Sequence, residues 1–150
     1  MKNFAIVCAL CLLVATAALT AQNKPAAKKF DSAELARGKY LVESIGMCGD
    51  CHTPINEMGQ PVMDKNLQGA TLMFKPTVPI PGWADRSANI AGLKGWTDEE
   101  SIKFLTTGVD PNGKQAAPPM PQFRYSKADA AAITAYLRSL APAAVQSSSK

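Results

Sequence analysis

Residues 48–52 read CGDCH, a pair of cysteines separated by two residues and followed directly by a histidine. Two thiols three positions apart at the end of a helix can each form a thioether with one of the two vinyl groups of haem. The next residue, His52, then lies under the ring, where an imidazole nitrogen can bind the iron. Gly49 leaves room for the backbone against the macrocycle. The motif therefore predicts covalent attachment of haem through Cys48 and Cys51, with His52 as an iron ligand.

Three other kinds of site use paired cysteines. A structural zinc site needs four ligands, whereas Cys48, Cys51 and His52 supply three, and the pair at Cys8 and Cys11 lies in an apolar N-terminal segment. A thioredoxin-like redox pair would need a βαβ context, which the sequence lacks. A plain disulfide between Cys48 and Cys51 stays open as an alternative, because it is chemically stable in an oxidising compartment.

The N-terminus, Met1 to Ala21, has the layout of a secretory signal peptide. Lys2 gives it a positive start, Phe4 to Leu19 is a run of sixteen residues with one polar member, and small residues follow. We expect cleavage near Ala21 and a periplasmic location. If the segment were retained, it would instead anchor the chain to the membrane, although sixteen apolar residues fall short of the roughly 20 that a spanning helix needs.

Length and composition indicate one small globular domain. The chain has 150 residues, of which 47% are hydrophobic and 19% charged, with a formal net charge of +4. This mild excess of positive charge is not clustered, so it does not favour a nucleic-acid partner. The single histidine excludes sites that need two from one chain. We predict a signal peptide at 1–21, a flexible leader at 22–30, a folded domain at 31–140 and a flexible tail at 141–150.

Three segments carry helix start signals: an N-cap at Asp31, a capping box from Thr97 to Glu100, and an N-cap at Ser126. Apolar residues recur at helical spacing after each: Leu35, Leu41, Val42 and Ile45; Ile102, Phe104 and Leu105; Ile133, Tyr136, Leu137 and Leu140. No stretch alternates as a strand would. The segment between the first two helices, Thr53 to Gly95, is rich in Pro and Gly and too long for an ordinary loop. Because three short helices bury little apolar area, we expect an all-α fold completed by a large non-protein group.

Two stretches, residues 36–54 (ARGKYLVESIGMCGDCHTP) and 92–140, which ends in AYLRSL, resemble the class I cytochromes c. More narrowly, they are similar to the mono-haem domains in the cytochrome subunits of periplasmic alcohol and aldehyde dehydrogenases. The resemblance covers roughly residues 33–140. It implies a cytochrome c fold with three main helices and long loops around one covalent haem, and a close contact between Gly38 and Tyr136. Those subunits often carry three such domains, whereas this sequence has one attachment motif.

The methionines are the candidates for the sixth iron ligand, on the face of the ring opposite His52. Met47 adjoins Cys48 and can hardly reach the opposite face of the ring, and Met58 and Met63 lie in Gly- and Pro-containing surroundings. Met120 is different, because the prolines on both sides of it fix an extended segment just before the last helix. The resemblance implies an axial methionine at that place. We therefore predict Met120 as the ligand and Met73 as the second candidate.

The resemblance also implies contacts between the loops and the haem edge. Arg86, Asn89 and Trp96 are candidates for hydrogen bonds to the haem propionates, although ordinary loop packing would also account for them. Lysines scattered along the chain would either surround the exposed haem edge and attract an acidic partner or simply belong to an ordinary solvated surface.

These features predict an electron carrier rather than an enzyme. A haem with histidine and methionine ligands has no free position for oxygen or peroxide and suits single-electron transfer. The expected partners are a periplasmic dehydrogenase and a membrane oxidase or another redox protein. The alternatives are a haem enzyme or gas sensor with an open sixth position, of a peroxidase-like or sulfur-oxidising kind, and a cytochrome subunit of a larger dehydrogenase.

Overall fold

The computed structural model describes residues 30–141. In these residues four α-helices follow one another: α1 (Ser32–Tyr40), α2 (Cys48–His52), α3 (Asp98–Thr107) and α4 (Lys127–Ser139). A π-helical turn, Leu41–Ile45, continues α1, and two 3₁₀ turns, Met63–Lys65 and Ala91–Leu93, lie in the long connection between α2 and α3. The predicted signal peptide, all but the last residue of the predicted leader and all but the first residue of the predicted tail lie outside the described residues.

The ends of α3 and α4 follow from their capping residues. The hydroxyl of Thr97 accepts a hydrogen bond from the amide of Glu100, whose carboxylate accepts one from the amide of Thr97. Gly108 ends α3 in the left-handed conformation, at φ 75°. Ser126 caps α4 by accepting a hydrogen bond from the Asp129 amide. Asp31 stands at the N-cap position of α1 as predicted, but its side chain makes no capping hydrogen bond.

The π-helical turn after α1 was not predicted. The Gly46 amide donates to the Leu41 carbonyl oxygen at 2.7 Å, a bond that spans one residue more than an α-helical turn does. The wider turn rotates the chain less per residue. Leu41 and Val42 therefore face the core, whereas Ile45, which helical spacing places on the same face, is exposed.

Helices α1 and α4 cross at Gly38. A Cβ atom on this residue would lie 2.0 Å from the Ala132 carbonyl oxygen and 2.7 Å from Tyr136 Cβ. Only glycine allows so close an approach, which confirms the predicted contact between Gly38 and Tyr136. The buried core forms beside this crossing and consists of Leu41, Val42, Leu67, Leu93, Ile133, Tyr136 and Leu137.

The long connection between α2 and α3 is held by hydrogen bonds rather than by regular secondary structure. Isolated antiparallel bridges pair Ile55 with Pro61 and Thr71 with Arg86. Within residues 30–141 there is no strand, so the prediction of an all-α fold is confirmed for this part of the chain. None of the helices described there is long and apolar enough to cross a membrane.

Candidate functional site

The motif of residues 48–52 forms the short helix α2, which follows the π-helical turn through a sharp bend. Met47 adopts the left-handed conformation, at φ 44° and ψ 43°, between the two. Gly46 fits tightly here, because a Cβ atom would lie 2.8 Å from the Tyr125 hydroxyl oxygen and 3.3 Å from Cys48 Sγ. The bend thus fixes the position of α2, and with it that of the two cysteines, relative to the core.

His52 is buried, with 8% of its surface exposed. Its Nδ1 lies 2.7 Å from the Ala88 carbonyl oxygen, which can only accept a hydrogen bond, so Nδ1 carries the proton and Nε2 keeps a free lone pair. Burial lowers the pKa of His52, with the bond to Ala88 acting in the opposite direction. A neutral imidazole with one free nitrogen is the form that binds a metal ion.

Hydrogen bonds from the long loop hold the backbone of α2 in place. The Gly69 amide donates to the His52 carbonyl oxygen at 2.7 Å. The Ser87 hydroxyl donates to the Cys51 carbonyl oxygen at 2.6 Å and accepts from the Ala70 amide at 2.8 Å. The loop that supplies the His52 acceptor, Ala88, therefore also fixes the end of the motif.

Thr53, directly after the motif, makes a second connection to this loop. Its buried hydroxyl accepts from the Leu67 amide at 3.0 Å and donates to Asn66 Oδ1 at 2.9 Å. Sequence reasoning did not identify Thr53, Ser87 or Ala88 as supporting residues. The position of Thr53 next to the motif was the one available signal, and nothing in the sequence distinguished the other two.

A cavity of about 480 Å³ adjoins α2. Cys48, Cys51 and His52 line it, as do Met120 and its neighbours Pro119 and Pro121. Its other lining residues are mostly apolar and include Leu72, Ile90, Leu93, Trp96, Phe104, Leu105, Phe123, Ile133 and Leu137. The structure thus brings the predicted attachment residues and the predicted axial methionine to one apolar cavity.

The other methionines differ from Met120 in position. Met73, the second candidate, is 74% exposed and does not line the cavity; Met58 and Met63 are exposed as well. Met47 lines the cavity but belongs to the bend that leads into α2. The segment before Met120 is a turn, closed by a 3.1 Å hydrogen bond from the Met120 amide to the Ala117 carbonyl oxygen, so the prediction of an extended segment there was wrong. The Ala84 amide, in the long connection between α2 and α3, donates to the Pro118 carbonyl oxygen at 2.7 Å and ties this turn to that connection.

The three residues predicted to contact propionates all line the cavity, and each already has a protein partner. Arg86 Nη1 donates to the Thr71 hydroxyl at 2.6 Å, and Asn89 Oδ1 accepts from the Ala91 amide at 2.9 Å. The Trp96 ring packs edge-on against Phe104, with 5.3 Å between ring centroids. Their position agrees with the prediction, while the contact with propionates stays a prediction.

The chemistry of these side chains fits haem. Burial raises the pKa of the Cys48 thiol to about 11, so this cysteine is a neutral thiol in apolar surroundings. Cys48 and Cys51 are both free thiols, available for thioether bonds. A neutral imidazole and a thioether on one apolar cavity match the axial ligands of low-spin haem. Trp83 directly precedes Ala84, which lines the cavity. Its Nε1 is buried and has no hydrogen-bond partner among residues 30–141.

Comparison with known proteins identifies the family. The fructose dehydrogenase cytochrome subunit of Gluconobacter japonicus is 34% identical over 121 residues, which cover 74% of this chain and 23% of that protein. The cytochrome c subunit of the quinone alcohol dehydrogenase of Gluconobacter oxydans is 34% identical over 84 residues, or 54% of this chain and 17% of that subunit. The gluconate 2-dehydrogenase cytochrome c subunit of Pantoea cypripedii is 38% identical over 77 residues, or 49% and 18%.

This chain therefore spans less than a quarter of the length of these three relatives. The sequence model of the cytochrome c family matches residues 35–141. Because that match runs from the first helix of the fold to the end of the last, the chain belongs to the cytochrome c family, whose members bind haem c covalently.

Proposed function

We propose that this chain binds one haem c through Cys48 and Cys51, with His52 and Met120 as iron ligands, and carries single electrons. The observation that supports this most directly is the cavity on which all four residues lie. The sequence contains one attachment motif, which gives one haem per chain. An axial methionine leaves no open position for oxygen or peroxide, so the proposed role is electron transfer without catalysis.

The haem would supply a one-electron couple, and the surrounding residues would set its conditions. The Ala88 carbonyl oxygen orients the imidazole and keeps its proton on Nδ1. Apolar walls such as Leu93 and Ile133 exclude water, and a thioether donor favours ferrous iron. Both effects raise the reduction potential relative to a solvated site with two histidine ligands.

The partners follow from the relatives. The names of the three relatives above describe cytochrome subunits of fructose, alcohol and gluconate dehydrogenases. We infer that the donor to this chain is likewise a dehydrogenase and that electrons pass on to a membrane oxidase or another redox protein. The N-terminal segment Met1 to Ala21, outside the described residues, supports a periplasmic location.

Absorption spectra of the exported, purified protein test the proposal, together with its mass. We expect the mass of one haem added to the processed chain, and low-spin spectra in both oxidation states. Met120→Ala should convert the iron to high spin, because the sulfur ligand is removed. Met73→Ala is the matched control, since Met73 is an exposed methionine outside the cavity, and it should stay low-spin.

The other outcomes discriminate between the alternatives. High-spin iron in the wild type, with tight binding of carbon monoxide or cyanide, would favour an enzyme or a gas sensor. Loss of the low-spin spectrum in Met73→Ala would transfer the ligand role to that residue. A protein without haem would contradict the proposal and return Cys48 and Cys51 to a disulfide.

A further inference from the structure

Arg138, on α4 behind the cavity, makes an unusual set of contacts. Its Nη1 donates to the carbonyl oxygens of Gly92 and Leu93, both at 2.9 Å, and its Nη2 donates to the carbonyl oxygen of Trp96. Its Nε donates to Asp98 Oδ1 at 2.9 Å. The side chain is 23% exposed. One guanidinium therefore binds three backbone carbonyls and a carboxylate.

The three carbonyls belong to the turn that leads into α3. Gly92 and Leu93 have φ angles of 79° and 49°, both in the left-handed region, which a leucine rarely adopts. With this backbone the three carbonyl oxygens point toward the same place, and their partial negative charges lie close together. A planar cation with several donors in a fixed fork satisfies such a cluster, whereas a lysine ammonium does not reach all four acceptors.

The same turn supplies part of the cavity wall. Leu93 and Trp96 line the cavity, and Trp96 packs edge-on against Phe104, which lines it as well. Arg138 is not a lining residue. It binds the backbone of two lining residues, Leu93 and Trp96, and it acts on the site through them.

We propose that Arg138 is a positioning residue that holds the Gly92–Trp96 turn against the haem and so keeps water from that wall. This inference rests on the proposed function. The water excluded there would otherwise stabilise the ferric state, which carries one more positive charge than the ferrous state. Arg138 thereby contributes to the reduction potential without contacting the ligands of the iron.

The test compares Arg138→Lys with Arg37→Lys in the haem-loaded protein. Arg37 also joins two helices through an aspartate, with 2.9 Å between its Nη2 and Asp129 Oδ1, but it lies away from the cavity. Both variants keep the charge of the chain. We expect Arg138→Lys to lower the midpoint potential while the spectrum stays low-spin, and to speed amide hydrogen exchange at residues 92–96. Arg37→Lys should leave the potential at its wild-type value.

Gly92→Ala disturbs the same turn without changing any charge. A Cβ atom there would lie 3.1 Å from Ala141 Cα on a backbone at φ 79°, so the substitution strains the turn that Arg138 binds. We expect a lower midpoint potential in Gly92→Ala too. This variant tests the role of the turn if Arg138→Lys yields too little protein. If the variant that is obtained keeps the wild-type midpoint potential, the role proposed for Arg138 is overturned, whereas the proposed function is not. A wild-type protein without haem would overturn the proposed function and this inference with it.

Discussion

The Tyr136 hydroxyl joins α4 to the π-helical turn after α1 by donating to Glu43 Oε1, at 2.5 Å. Burial raises the pKa of Tyr136, and the hydrogen bond to the Glu43 carboxylate raises it further. The folded chain therefore keeps this proton to a higher pH than the unfolded chain, in which tyrosine titrates near pH 10. The stabilisation is fully present below about pH 10 and is lost as the pH rises above that value.

Tyr136→Phe should lower the free energy of unfolding by about 1 kcal/mol at neutral pH, the usual net value of such a bond. The difference between wild type and variant should shrink above about pH 10, where the unfolded wild type releases its proton. Urea unfolding of both proteins between pH 7 and pH 11 measures this. Two profiles that stay parallel over the whole range would contradict the assignment.

Single residues show where sequence reasoning stops. Cys48, Cys51 and His52 lie within five consecutive residues, so their spacing alone predicts that they act together. Met120 was predicted from the prolines beside it and from the resemblance to the cytochromes c, and it lies on the same cavity. Ala88, in contrast, binds His52 through a backbone carbonyl from 36 residues away. Every residue type has such a carbonyl, so no pattern of side chains could have revealed it.

At the scale of elements, the start of α3 depends on a reciprocal pair of hydrogen bonds between Thr97 and Glu100. Thr97→Ala leaves the Glu100 amide without its side-chain acceptor and should cost about 1 kcal/mol of stability. Thr106→Ala is the control from the same helix, because the Thr106 hydroxyl donates to the Lys103 carbonyl oxygen within α3 and does not cap the helix. It should change stability by less than about 0.5 kcal/mol. Equal effects on the urea midpoint would show that the cap contributes nothing of its own.

Helix ends were predictable because their signals are local. Thr97, Gly108 and Ser126 each act on backbone groups within a few residues, so the sequence contains the whole cause. The π-helical turn at Leu41–Ile45 has no such local signal, and a search for helical periodicity assumes a constant turn. That assumption is why Ile45 was assigned to the buried face and is in fact exposed.

At the scale of the whole molecule, the cavity explains why the segment from Thr53 to Gly95 is so long. Its residues do not pack into a layer of their own. They support α2 through Ser87 and Gly69, and they line the cavity through Leu72 and Ile90. The prediction that such a long loop wraps a non-protein group came from length and composition, since a loop without a core of its own needs something else to pack against.

Haem attachment should therefore decide whether the domain folds. The buried cluster contains few large side chains, and without a bound group the apolar walls of the cavity would face water. Cys48→Ser/Cys51→Ser prevents both thioether bonds, so we expect protein that carries no covalent haem and melts without a cooperative transition. Circular dichroism during heating, with the mass as a check on attachment, measures this. Met120→Ala is the control, because it keeps both thioethers and should still unfold cooperatively. A sharp transition in the double variant without haem would mean that the chain folds by its own packing and that the cavity is formed before the haem is bound.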